Sequence, residues 1–132
     1  MEFKLLEEKE IELMQEVLED DNMIFNTENV RKFICDNHSF GFIAKKDNKI
    51  LGFAYAYSLV RPDGKIMLYL HSIGMLSKYQ DKGIGTKLMK YIINYAKENN
   101  YSEVFVITDK GNPRACHFYE KAGGKNDFEK DK

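Results

Sequence analysis

The feature that most constrains the fold is the run from residue 66 to residue 106, "IMLYLHSIGMLSKYQDKGIGTKLMKYIINYAKENNYSEVFV". An apolar stretch enters a turn bearing Gly83 and Gly85. A helix follows, with Ile84, Leu88, Tyr91, Ile92 and Tyr95 on one face and polar Asn99 and Asn100 near its end. The continuous apolar run "YSEVFVIT" then reads as a buried strand. Strand, helix and strand in succession need a crossover, which lays two strands parallel. At least part of the sheet must therefore be parallel.

The remaining elements group around this unit. Phe3 to Leu6 form a short apolar strand, and Ile11, Met14, Val17 and Leu18 recur at helical spacing among acids. A second helix is signalled by Asn26 or Thr27 as its cap, by Glu28 in the first turn, and by Val30, Phe33 and Ile34 on one face. Two aromatic-rich apolar runs flank Asp47-Asn48, and a third follows Pro62-Asp63-Gly64, so these three strands should form an antiparallel meander. Near the end, "PRACHFYEKAG" reads as a short helix with Pro113 in its first turn and Gly123 at its stop. The order is β α α β β β α β α, an α/β fold on a mixed sheet. Repeats, linkers and low-complexity tracts are absent from the sequence.

Length and charge narrow the class. The 132 residues, 43% of them hydrophobic, suit one domain spanning residues 1–132. Twenty basic and 21 acidic residues give a net charge of −1, which removes the electrostatic case for a nucleic-acid partner. Cys35 and Cys116 have no metal-site spacing, so a reduced setting is expected and no metal. With no signal-like start and no apolar run of roughly 18 residues, the expectation is a soluble, cytoplasmic protein without a membrane partner.

Glycine costs about 1 kcal/mol against alanine inside a helix, so two at a helix mouth need a reason. Unpaired backbone N–H groups at the positive end of a helix dipole suit an anion, and phosphate fits there. Gly83 and Gly85 permit close approach, Thr86 offers a hydroxyl, and Lys82 and Lys87 add positive charge. A Rossmann fingerprint fails because Leu88 stands where its third glycine would be, and no Walker lysine follows a four-residue gap. What is met in full is Q-x-x-G-x-G, by Gln80, Gly83 and Gly85 after an apolar strand.

This stretch, together with "NPRACHFYEKAG", resembles the GNAT superfamily of N-acetyltransferases over roughly residues 40 to 124. The resemblance implies acetyl-CoA as co-substrate and a primary amine as acceptor. It implies a single-domain α/β fold, its mixed sheet flanked by about four helices and splayed at a bulge before the pyrophosphate loop. Ile73, Gly74 and Met75 would line the pantetheine arm, with Gly74 the plausible bulge residue and a backbone N–H near Met75 the oxyanion donor. Gln80, Asp81, Lys82, Gly83, Ile84, Gly85 and Thr86 would form the pyrophosphate loop, and Asn112 and Phe118 would also face the cofactor.

Acetyl transfer to an amine needs a fixed thioester, an uncharged amine, oxyanion stabilisation and a proton for the leaving thiolate. Tyr119 occupies the place of the family's proton-donating tyrosine, with Asn112, Ala115, Phe118 and Lys121 matching around it. An alkyl ammonium of pKa about 10 is rarely neutral at pH 7, so a base is useful, and His71 and Asp109 are both near the expected acceptor. Cys116 lacks the companions of a nucleophile and reads as a small filler.

The acceptor normally binds near the first two helices, where Glu19, Asp20 and Asp21 would attract a polycation or simply form a solvated face. "YLHSIGM" and the aspartate ending "VFVITD" are similar to the aminoglycoside 3-N-acetyltransferase branch, although Ser72 stands where that branch carries an aspartate. A small-molecule amine, an aminoglycoside or polyamine, is the first expectation. Protein or peptide acetylation, or an acetyl-CoA-binding module without turnover, are the rivals. Gly124 replaces the family's usual aromatic and the chain ends at Lys132, so a short or missing last strand is expected. Either a second copy completes the sheet as a homodimer or its edge stays open.

Overall fold

The computed structural model describes residues 1–107. Strand β1 (Glu2–Leu5) leads through a 3-10 helix (Glu8–Leu13) into α1 (Met14–Asp20) and α2 (Thr27–Cys35). Strands β2 (Ser39–Lys46), β3 (Lys49–Val60) and β4 (Ile66–Met75) follow, then a 3-10 turn (Ser77–Tyr79), α3 (Ile84–Glu98) and β5 (Glu103–Val106). The helix expected over 113–123 and the last strand lie outside the described residues. No helix among the described residues is long and apolar enough to cross a membrane.

The five strands form one sheet in chain order, antiparallel throughout except for the parallel β4–β5 pair. The crossover through α3 thus delivers the parallel pairing that the sequence requires. Local chemistry sets the joints. Asp47 and Asn48 take φ values of 49° and 60°, as a tight primed hairpin turn needs, and Gly64 takes +87° in the β3–β4 turn. The Asn26 side chain accepts the Asn29 N–H at 3.0 Å and caps α2.

The first helix departs from expectation because it begins as a 3-10 turn. Ile11 and Met14, three residues apart, eclipse on such a turn, and both are buried. Beside them the Glu10 carboxylate is fully buried, accepting from Lys4 at 2.7 Å, Lys45 at 3.1 Å and the Glu7 N–H at 2.9 Å. Burial opposes its charged form, but the two lysines and the N–H outweigh that and hold the carboxyl below its usual range.

Two cores flank the sheet. On one face α1 and α2 cover Ile43, Ile50 and Leu51; on the other α3 sets Leu88 and Ile92 against Phe42, Ala54, Ala56, Leu68 and Leu70. Strand β5 is less buried than its apolar run suggests, with Val104 to Val106 half-buried and Ile107 74% exposed. It sits at the end of the described sheet, where one flank lacks a described neighbour.

Candidate active site

The site is built around the end of β4. Parallel pairing with β5 runs only from Met67↔Glu103 to Leu70↔Val106, whereas β4 stays paired with β3 through Met75. From His71 onward β4 therefore has a partner on one side only, among the described residues. Backbone direction along this stretch follows from one hydrogen bond, Leu76 N–H to the Leu51 carbonyl at 2.9 Å. Antiparallel pairs alternate between bonded and non-bonded. Leu76 is bonded to β3, so Met75 and Ile73 turn their N–H and C=O groups to the open edge while Gly74 turns its own toward Phe53.

The bulge is at His71, not at Gly74. Tyr55 pairs with Ser72 but Ala56 pairs with Leu70, so His71 is the extra residue, whereas Gly74 pairs in regular register. The physical reason lies in packing: with an extra residue between them, Leu70 and Ile73 both meet the α3 core although three positions separate them. Gly74 has a different use. A Cβ added there meets nothing within 4 Å, so it leaves open space beside the edge.

Beyond β4 the turn of Ser77–Tyr79 and extended Gln80 lead to Asp81 at φ 61° and Gly83 at φ 80°, two left-handed residues that reverse the chain into α3. Gly83 is the N-cap of α3, and no side chain caps it. The first-turn N–H groups therefore point outward from a 15-residue helix, and a Cβ at Gly83 would enter empty space. Lys49, Lys78 and Lys82 place their ammonium groups 5.8, 5.8 and 5.9 Å from the Tyr79 ring centre, making the loop electropositive. On the β1–β3 side, Lys46, Lys49, Lys82 and Lys87 line a groove of about 700 Å³. The donors at the helix mouth and the backbone of Ile73 and Met75, which has no partner on that edge among the described residues, fit a pyrophosphate joined to an amide-bearing arm.

A second cavity, of about 260 Å³, opens on the helix side of the same strand end. Asp20, Asp21, Tyr55, Ser72, Gly74 and Gln80 line it, and among the described residues no lysine, arginine or histidine does. Asp20 is committed to structure, since its carboxylate accepts from the Ser77 N–H and hydroxyl at 3.1 Å and ties α1 to the glycine loop. His71 is exposed, with Nδ1 2.9 Å from the Tyr69 hydroxyl and its ring 5.2 Å from that of Tyr55. Asp109, Asn112, Cys116, Phe118 and Tyr119 lie outside the described residues. Ile73, Gly74, Met75, Gln80, Asp81, Lys82, Gly83, Ile84, Gly85 and Thr86 lie along the strand end, the loop and the helix mouth.

Sequence reasoning missed the aromatic array on this face. Phe53, Tyr55, Tyr57, Tyr69, His71 and Phe105 form a chain of ring contacts, with centroids from 5.1 to 6.4 Å apart. The signal was present in "FAYAY", where alternation with alanine puts all three rings on one side of β3. Burial first, then the charges of Tyr57, Asp21 and Tyr69, push the Tyr55 phenol above its usual range.

Residues 10–124 match the model of the acetyltransferase (GNAT) family. A probable N-acetyltransferase, san, of Drosophila melanogaster is 33% identical over 95 residues, which cover 70% of this chain and 52% of that protein. The chain thus spans about half the length of this curated relative. Among solved structures, an aminoglycoside acetyltransferase from an uncultured soil metagenomic sample, in complex with sisomicin, superposes with a TM-score of 0.80 at 26% identity, covering 95% of this chain and 90% of that one. An aminoglycoside N-acetyltransferase in complex with CoA shares the fold, with a TM-score of 0.78 at 16% identity over 95% of this chain and 92% of its own. Motif, fold and family model agree, and this chain belongs to the GNAT family of acetyltransferases.

Proposed function

We propose that the chain is an acetyl-CoA-dependent N-acetyltransferase that acetylates a primary amine of a small molecule, an aminoglycoside or polyamine. The observation that carries this reading is the left-handed Gly83 at an uncapped helix mouth, beside a strand edge without a described partner. The backbone of Gln80, Lys82, Gly83, Ile84, Gly85 and Thr86 would hold the pyrophosphate, with Asp81 shaping the turn. Ile73 and Met75 would hydrogen-bond the pantetheine arm, and Gly74 would leave room for it. When bound, the co-substrate supplies an activated acetyl carbonyl.

The chain's own groups do the rest. In this reading the Met75 N–H, aimed at the open edge, stabilises negative charge on the carbonyl oxygen. His71 takes the amine proton in the tautomer whose Nδ1–H donates to the Tyr69 oxygen, which leaves the Nε2 lone pair for the acceptor. Asp109 is the second candidate base and Tyr119 the proposed proton donor, with Asn112 and Phe118 at the cofactor. A small acceptor is supported by the modest cavity, which has no basic side chain among its described lining, and by the sisomicin-bound structural relative.

Calorimetric titration with acetyl-CoA tests the carrying observation. Binding by the native chain and its loss in Gly83→Glu are expected, because a glutamate there adds both left-handed strain and negative charge. Native binding with no turnover on any amine would leave a binding module. Turnover of peptides and of no small amine would replace the acceptor assignment.

A further inference from the structure

The face of β3 and β4 beside the proposed acceptor position is built unlike the opposite face of the same two strands. On β3, Phe53, Tyr55 and Tyr57 alternate with alanines that face α3, and on β4 Tyr69 stands opposite Tyr57. Helix α2 reaches this array only at its border, where Phe33 meets Tyr55 edge-on at 6.1 Å. Tyr57 and Tyr69 lie beyond it, half-buried, with ring centres 6.4 Å apart. A sheet needing only an apolar cover would use aliphatic residues here, as Ala54, Ala56, Leu68 and Leu70 do on the opposite face of the same two strands. Rings with phenol groups instead offer π surface and hydroxyl oxygen, both of which attract cations.

The electrostatics point the same way. Tyr55 joins the array to the 260 Å³ cavity, whose described lining includes Asp21 and no basic side chain. Asp20 is bound to Ser77, but Asp21 is exposed at the mouth and close enough to raise the Tyr55 pKa. Lysines gather instead around Tyr79 and the groove on the other side of the glycine loop.

We propose that Tyr55, Tyr57 and Tyr69, with Asp21 at their cavity end, hold a second cationic centre of the acceptor, so that the site prefers small amines bearing two or more ammonium groups. This rests on the amine-acetylation reading above and names the specificity residues of that same site. The reacting nitrogen lies near His71, and the remote ammonium is seated against the rings. Its binding is a matter of charge and π surface and involves no chemical step.

The test compares 1,6-diaminohexane with hexylamine, which matches it in length and carries one charge fewer. Each is titrated into the full chain with carbon-labelled tyrosine, following ring resonances by NMR, and each is assayed for acetylation. The diamine should shift the Tyr57 and Tyr69 signals at concentrations about tenfold lower than the monoamine. Tyr57→Leu should cut that preference about three- to tenfold and Asp21→Asn about threefold, whereas Tyr57→Phe should retain most of it because the ring remains. Asp21 is exposed, so its variant tests the idea without endangering the fold.

Equal binding of the two amines would overturn the proposal, as would a Tyr57→Phe variant as impaired as Tyr57→Leu. Preference for a short peptide over the diamine would also overturn it. Diamine binding at the rings without acetyl transfer would uphold the recognition site and sink the enzymatic reading. Acetyl transfer without preference for the diamine would do the reverse.

Discussion

One face of the sheet carries two halves built on different principles. Over β1 to β3, helices α1 and α2 close down on Ile43, Ile50 and Leu51, and Glu10 locks them to the strands through Lys4 and Lys45. Over β3 to β5, the same face carries Tyr57, Tyr69, His71 and Phe105, whose ring contacts among the described residues are all with rings on the strands. The first half buries its inward apolar side chains under helices, and the second keeps polar aromatic surface within reach of solvent. Stability should concentrate in the closed half and recognition in the open one.

The strongest way to break this contrast is a cavity in the closed half. Ile43→Ala, at a side chain with no exposure, should destabilise the chain by about 3 kcal/mol in urea or thermal melts. Next comes Glu10→Gln, which leaves two lysines facing a neutral amide and should cost about 2 kcal/mol. If Glu10→Gln were neutral, the ion cluster would be incidental to the closed half.

Acid should act through the same cluster. Because the folded state holds Glu10 below its ordinary value of 4.5, its contribution is fully present above that value and is lost as pH falls through the depressed one. Lys4 is shifted upward from 10.5; burial opposes its charge, but Glu10 and Glu7 outweigh it. Its contribution is fully present below 10.5 and lost as pH rises through the raised value. Melts of the native chain and Glu10→Gln should therefore converge in acid, and parallel curves down to pH 2 would refute the linkage.

Smaller effects sharpen the border. Tyr55→Leu should cost about 1 kcal/mol, because Tyr55 belongs to both halves through Phe33 and His71. Tyr57→Leu should cost less than about 1 kcal/mol while changing amine preference, since its ring supports no helix. A Tyr57→Leu loss as large as that of Ile43→Ala would mean that the open half is core after all.

The sequence alone determined what short-range geometry controls. Asn26 as a cap, Asp47-Asn48 as a primed turn, the α3 stripe, and the parallel crossover were all legible, because each depends on dihedral preference or a period of 2 or 3.6 within a few residues. At Gly83 the sequence signals close approach of an anion, and the structure adds a left-handed φ of 80° that the loop requires there. Tertiary structure decided what depends on neighbours distant in the chain. Glu10 lies among acids around the first helix, and its burial depends on Lys4 and on Lys45, 35 residues away, which both meet its carboxylate. His71 became the bulge in place of Gly74 because Leu70 and Ile73 both had to meet α3. Asp20 became a strut when Ser77, 57 residues on, came within hydrogen-bond distance. Register, the direction of the Ile73 and Met75 amides, and the opposite signs of the two cavities flanking the loop are set by long-range pairing, and no local pattern encodes them.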